Sequence, residues 1–377
     1  MKVNFIRSSY QRFYRTHKAK IDRLIQSCMD RGDYVLRKDL WDLEKNFAKF
    51  VGTKYAVGVN SGTDALFLSL KALGIGKGDE VITVSNTFVA TIQAIVHCGA
   101  KPILVDVRED ELMDIDLATL KITDKTKAII PVQYTGAICD MKKLNKMVAA
   151  AEKVFGTRIH IVDDACQAVG AKGAGTFGIL NCFSFNTAKL MGGICDGGMI
   201  TTNDRTLYEK LCLLRNHWNI HQLSVDRNDY PQPEKMEWGY KSRLANVNAA
   251  FLNFKLKKLP SLLKRREQIA TQYSLGLANL PIGLPHPQDG RVWQEYHIRV
   301  DNRGEFVKFL QDRGIETLTR DTTPNHKMEG LGLERFNLPV TEKLAKEVTR
   351  LPLYPELTAK EVKYIIKTVR EFYGQKA

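Results

Sequence analysis

Seven short apolar runs rich in β-branched residues recur along the first two thirds of the chain: AVGVN (56–60), EVITVS (80–85), PILVD (102–106), KAIIPVQ (127–133), IHIVDDA (159–165), CFSF (182–185) and GGMITT (197–202). Runs of this length bounded by turn residues read as strands. Several are followed by stretches with a helical period. DALFLSLKALG and TFVATIQAIVHCG carry apolar residues three and four apart, and each ends in glycine, the preferred helix terminator. Alternating strand and helix signals of this kind predict an α/β domain built on a mostly parallel, seven-stranded sheet. In such sheets ligands gather beyond the carboxyl ends of the strands, so the polar residues at those ends carry the functional information.

From about residue 251 the texture changes. A basic helix is followed by a Pro/Gly-rich linker, LANLPIGLPHPQDG (277–290), then a strand-like WQEYHIRV, the helix EFVKFLQDRG and a last helix AKEVKYIIKTVREFY. The division expected is a large domain over residues 1–250 and a smaller α+β domain over 251–377. No run approaches the roughly 18 apolar residues that span a bilayer, and the N-terminus has no apolar signal-peptide core, which points away from a membrane and toward the cytoplasm. The seven cysteines are scattered without a C-x-x-C pair, which suits reduced packing residues and argues against a metal site. The net charge of +14 suits an anionic partner. Its densest cluster, KLKKLPSLLKRRE (255–267), alternates cations with leucines as a solvated helix face does, so nucleic acid is not expected.

At the strand ends the chemistry is specific in combination. After the first strand, Ser61, Gly62 and Thr63 open a helix, where small residues leave backbone N–H groups for an anion. IHIVDDA ends in Asp163 and Asp164, with Gln167 three residues beyond. The sixth strand leads into SFNTAKLMGGICDGG (184–198), in which Ser184 supplies a second hydroxyl and Lys189 stands among small residues and glycines. Phe88 follows the second strand. Hydroxylic turns for a phosphate, a carboxylate for a ring nitrogen, an aromatic cover and one lysine able to form an imine are the inventory for pyridoxal 5'-phosphate. The glycines after Lys189 are expected to let the chain turn back tightly, aiming the lysine into a cleft.

These blocks, with GYKSRLANVNAAFL and LPLYPELT, occur in an order that resembles the DegT/DnrJ/EryC1/StrS family of sugar aminotransferases, from about residue 30 to 370. The resemblance implies the aspartate-aminotransferase type of fold, a homodimer with active sites at the subunit interface, and transfer of an amino group from glutamate to a nucleotide-linked keto-deoxy sugar at C-3 or C-4, for surface polysaccharide or antibiotic sugars. It further implies that Lys189 is the imine lysine and proton shuttle, that Asp164 pairs with the pyridine nitrogen, and that Gln167 lies near the ring's phenolic oxygen. Phe88 would stack on the ring. Thr63, the Gly62 and Asp64 backbone and Ser184 would hold the phosphate. Asp163 is expected to shape the turn.

Three positions depart from the commoner family pattern. Lys241 stands in GYK where an asparagine of the second subunit usually reaches the phosphate, Gln133 replaces a histidine, and Arg37 a glycine. Relatives that replace the lysine by histidine become dehydratases, and this chain keeps Lys189. Arg215 and His326 are candidate substrate contacts. His217 and His221 have the spacing of a metal pair but no third ligand, so no metal is expected. A dehydratase, a cyclitol aminotransferase and a silent cofactor-binding regulator remain as alternatives.

Overall fold

The computed structural model describes residues 1–5, 7–218, 230–319 and 322–374. All seven expected strands form: β1 (Tyr55–Val59), β2 (Glu80–Val84), β3 (Lys101–Val105), β4 (Thr126–Ile129), β5 (His160–Asp164), β6 (Leu180–Ser184) and β7 (Gly198–Thr202). They make one sheet in the order β1-β7-β6-β5-β4-β2-β3. Strand β7 runs antiparallel to both its neighbours, and the other pairings are parallel. The run expected to reach residue 133 stops as β4 at Ile129, two residues before Pro131, whose ring nitrogen has no proton for the ladder. It resumes only as an isolated bridge between Val132 and Asp164.

Helices α1 (Arg7–Arg31), α2 (Lys38–Val51), α3 (Gly62–Ala72), α4 (Ala90–His97), α5 (Ile115–Thr119), α6 (Met141–Phe155) and α7 (Arg205–Leu214) precede the long α8 (Asn246–Gly276). Strands β2, β6 and β7 are buried at every residue, as expected when both faces of a sheet are covered. Because β1, β2, β5 and β6 run in the same direction, their carboxyl ends meet along one edge. Strand β7 starts from that edge, so the segment joining β6 to β7, which contains Lys189, must lie across it.

The C-terminal part pairs β8 (Tyr296–Arg299) with β9 (Val348–Leu351) and adds α9 (Arg303–Asp312), α10 (Pro339–Glu347) and α11 (Ala359–Phe372). Its core joins Phe306, Ile315, Leu351 and Ile365 to Val3 from the other end of the sequence. Val3 bridges to Ile315, and Arg12 of α1 forks onto Glu361 at 2.9 and 2.6 Å. Glu361 also closes the capping box of α11 with Thr358, so one carboxylate both starts that helix and ties α1 to it. The expected boundary at residue 250 falls inside α8, and the N-terminal segment packs with the C-terminal core. A linear reading misses this because the partners of Val3 and Arg12 are more than 300 residues away in sequence.

Candidate active site

A cavity of about 590 Å3 lies at the carboxyl edge of the sheet. Lys189, Asp164, Gln167, Ser184, Gly62, Thr63 and Phe88 all line it. At its floor the alternation of a strand separates the two aspartates of β5. Asp164 faces the cavity, where Thr91 Oγ1 donates to its Oδ2 at 2.8 Å and the amide of Cys166 to its Oδ1 at 3.2 Å. Asp163 faces the interior and accepts from Gln133 Nε2 at 2.7 Å and from the Gly175 amide at 3.1 Å. Gln133, the departure from the family histidine, is fully buried and therefore braces the back of the floor.

The hydroxylic end is built by α3. Ser61 caps it in an extended conformation, its Oγ accepting from the Asp64 amide at 3.0 Å. The first-turn amides have no intrahelical acceptor and, with the helix dipole, favour an anion. A side chain at Gly62 would bring its Cβ within 2.7 Å of Ser184 Cβ and 3.1 Å of Ser184 Oγ. Glycine is therefore what lets the start of α3 approach Ser184. Asp64 differs from expectation. Its amide is taken by the Ser61 cap, its carboxylate accepts from Ser242 Oγ at 2.6 Å, and it does not line the cavity, so it fixes the turn.

Lys189 is half-buried in the segment between β6 and β7. Gln294, from just before β8, clamps the backbone on both sides of it: Oε1 accepts from the Leu190 amide at 2.9 Å and Nε2 donates to the Ala188 carbonyl at 3.0 Å. The following glycines serve close approach rather than unusual backbone angles. None of them has a positive φ, but a Cβ on Gly192 would lie 2.2 Å from the Thr187 carbonyl oxygen. The opposite wall carries Phe88, which is 63% exposed.

Two candidates lie elsewhere. Arg215 is fully buried behind the sheet, ion-paired with Glu44, donating to the Gly58 carbonyl at 2.8 Å and lying beside Trp41. It cross-links α2, β1 and the end of α7 and does not reach the cavity. His326 is also fully buried, with Nδ1 2.8 Å from Ser85 Oγ and Nε2 3.1 Å from Glu342. Its neighbour Asn325 donates to the carbonyls of Ser85 and Thr87, so this loop supports the wall from behind. Lys241 is exposed and outside its own chain's cavity wall. His217 is described but His221 lies outside the described residues, and no group of three metal-binding side chains occurs among those described. No helix among them is long and apolar enough to cross a membrane.

Sequence reasoning missed Thr87, Thr91, Gln294 and Glu295. The signal for the first two was present. Thr87 and Thr91 are four residues apart in the segment that leads from β2 into α4, and their hydroxyls are 2.8 Å apart, so with Thr91 donating to Asp164, Thr87 donates to Thr91.

The chain matches the DegT/DnrJ/EryC1/StrS aminotransferase family over residues 15–370. It is 37% identical over 372 residues to dTDP-3-amino-3,4,6-trideoxy-alpha-D-glucose transaminase of Streptomyces venezuelae, covering 95% of this chain and 93% of that one. It is 35% identical over 374 residues to a pleiotropic regulatory protein of Geobacillus stearothermophilus, covering 96% of each. Further relatives at 34–36% identity are named as transaminases of dTDP- or UDP-linked 3-amino or 3-oxo sugars. The crystal structure of S. venezuelae DesV in complex with a ketimine intermediate superposes with a TM-score of 0.90 at 36% identity, covering the whole of both chains. The residues around the cavity fit the family's cofactor: a hydroxyl-lined, glycine-opened helix start at one end, a buried carboxylate at the floor and a lysine across from it. The chain belongs to the DegT/DnrJ/EryC1/StrS aminotransferase family and is a pyridoxal-phosphate-dependent aminotransferase.

Proposed function

We propose that the protein moves an amino group from glutamate to carbon 3 of a nucleotide-linked keto-deoxy sugar, as a cytoplasmic homodimer with shared active sites. The observation that carries this reading is the convergence of Lys189, Asp164, Thr63 and Ser184 on one cavity large enough for a cofactor and a sugar together. Several sugar-transaminase relatives are named for sugars with an amine or keto group on carbon 3, which favours that carbon here. The net charge of +14 favours encounter with a diphosphate-bearing substrate. The regulator name among the relatives favours a silent binding protein as a second reading, but a silent protein has no need of Lys189 and Asp164 set in one cavity.

In this reading Thr63, Ser184 and the first amides of α3 hold the phosphate, and Phe88 covers the ring face. Asp164 keeps the ring nitrogen protonated, its orientation fixed by Thr91. Lys189 would anchor the cofactor, and its amine would hold and move the proton at the substrate carbon. Gln294 limits how far that lysine can stray. When bound, the cofactor supplies the electron sink that lets the substrate carbon lose its proton.

Lys241 serves the partner's site. It is exposed, it is next to Ser242, which holds Asp64 at the start of α3, and it follows Trp238, 94% exposed, and Met236. Large apolar side chains this exposed mark a surface that another protein covers. Lys241→Ala is expected to weaken cofactor retention about tenfold, the loss of one charge-assisted contact to phosphate, with little change in the KM for sugar. Equilibrium dialysis of the variant checks this, and unchanged retention would remove Lys241 from the site.

The substrate is tested with a panel of nucleotide-linked 3-keto and 4-keto-6-deoxy sugars and glutamate, read by mass spectrometry. The 3-keto class is expected to be aminated much faster than the 4-keto class or any free keto acid. Fast amination of pyruvate or oxaloacetate with no sugar product contradicts the nucleotide-sugar reading and leaves the cofactor site standing.

A further inference from the structure

A second cavity, of about 310 Å3, lies behind the lysine segment, between the aromatic side chains of α1 and the leucines of α8. Tyr10, Thr187, Ala188, Lys189, Gln294 and Glu295 border both cavities, so these residues form the wall they share. Gln294 accounts for the backbone of that wall. Glu295 brings a carboxylate into the same wall that Lys189 lines, its side chain only 17% exposed.

The carboxylate is held from behind. Arg350 Nε of β9 lies 2.8 Å from Glu295 Oε2. His297 of β8 places Nε2 3.0 Å from the same oxygen and 2.9 Å from Arg350 Nε, and Nδ1 2.7 Å from Glu111. Arg266 of α8 packs below, donating to the Gln294 carbonyl at 3.1 Å. The charges around Glu295 are thus Arg350, His297 and Arg266 on the protein side, Glu111 beyond the histidine, and Lys189 on the cavity side. Burial works against ionisation of Glu295, but Arg350 and then His297 hold its carboxyl down to about 2, and Lys189 adds to the same effect. Burial and Arg350 oppose the charge on His297, yet Glu111 and Glu295 raise its pKa.

We infer that Glu295 is a positioning residue that keeps a proton on the Lys189 nitrogen while that nitrogen is bonded to the aldehyde carbon of the cofactor, by presenting a fixed negative charge across the wall. A protonated nitrogen makes the adjoining carbon more electrophilic toward an incoming amine, so the charge favours the exchange that starts each turnover. The ion pairs behind Glu295 prevent the carboxylate from taking that proton itself. The inference rests on Lys189 being the covalent anchor.

The test is a spectrophotometric pH titration of the holoenzyme, which reads the protonation of that nitrogen directly from the yellow band and does not depend on turnover. Glu295→Gln is expected to move the midpoint down by about one pH unit, since a nearby opposite charge favours the charged form. Glu295→Asp, which keeps the charge one methylene further back, should restore most of the shift. A purely structural role would lower the melting temperature of the Gln variant and leave the midpoint where it is, and that result would overturn the inference. Should the Gln variant not fold, the Asp variant carries the test alone: a smaller downward shift supports the inference and an unchanged midpoint overturns it. A yellow band that survives Lys189→Ala would instead show that the anchor itself has been misassigned, which separates the two failures.

Discussion

Replacing Lys189 with alanine should abolish turnover, with a loss of several orders of magnitude in kcat, and remove the yellow colour of the holoprotein while the fold persists. The fold should persist because the segment is held by its backbone and not by the lysine. Gln294 grips Ala188 and Leu190, the Gly193 amide donates to the Phe185 carbonyl at 2.8 Å, and Lys255 Nζ donates to the Gly192 carbonyl at 2.7 Å. The alanine protein is therefore expected to melt within a few degrees of the parent. Steady-state rates and an absorbance spectrum check the claim, and turnover above a few per cent would mean that a different amine does the chemistry.

Asp164→Asn should retain the cofactor and lose about a hundredfold in rate, equivalent to roughly 2.7 kcal/mol of transition-state stabilisation. An amide cannot hold the proton on a ring nitrogen, although Thr91 and the Cys166 amide would still position it. Asp163→Asn is the control. It faces away from the cavity, so turnover should change little. Stability should fall by about 1–2 kcal/mol at neutral pH, because an amide has one oxygen to offer where Gln133 and Gly175 now use two. The pH dependence adds a second signature. Burial pushes the Asp163 carboxyl up to about 6, against the lowering effect of the bonds from Gln133 and Gly175. The folded protein then binds a proton more tightly than the unfolded chain, whose aspartates titrate near 4, so this group's contribution is greatest at low pH and declines as pH rises from about 4 to 6. Thermal melts should show that part of the decline in the parent and not in Asp163→Asn. A large rate loss at 163 and a small one at 164 would reverse the assignment of the pair.

The sheet was legible because its strands are short β-branched runs that need no distant partner to be recognised. The functional ends followed, since parallel strands put Ser61, Asp164 and Ser184 on one edge once the alternation is seen. The DD pair could not be resolved by composition, but the two-residue period of a strand separates them as soon as β5 is placed in the sheet. Residues that depend on distant contacts were not legible. Thr91 lies 73 positions before Asp164, and Gln294 lies 104 positions after Leu190. Arg215 illustrates the converse. An arginine followed by Asn216 and His217 reads as an anion contact, yet Glu44, 171 positions earlier, neutralises it in the core, where its cost of burial is met by an ion pair and a carbonyl. The tie between the N-terminal helix and α11 was not legible for the same reason, because Glu361 gives no local sign that it is waiting for Arg12.

The most direct measurement is to reduce the holoprotein with borohydride, digest it and map the lysine that carries the cofactor by mass spectrometry. The cofactor should be found on Lys189 alone. Lys255 is the rival amine: it lines the neighbouring cavity, and burial and then Arg266 pull its pKa down to about 8, which leaves part of it uncharged near neutrality. Label on Lys255, or on any lysine other than Lys189, would contradict the site described above.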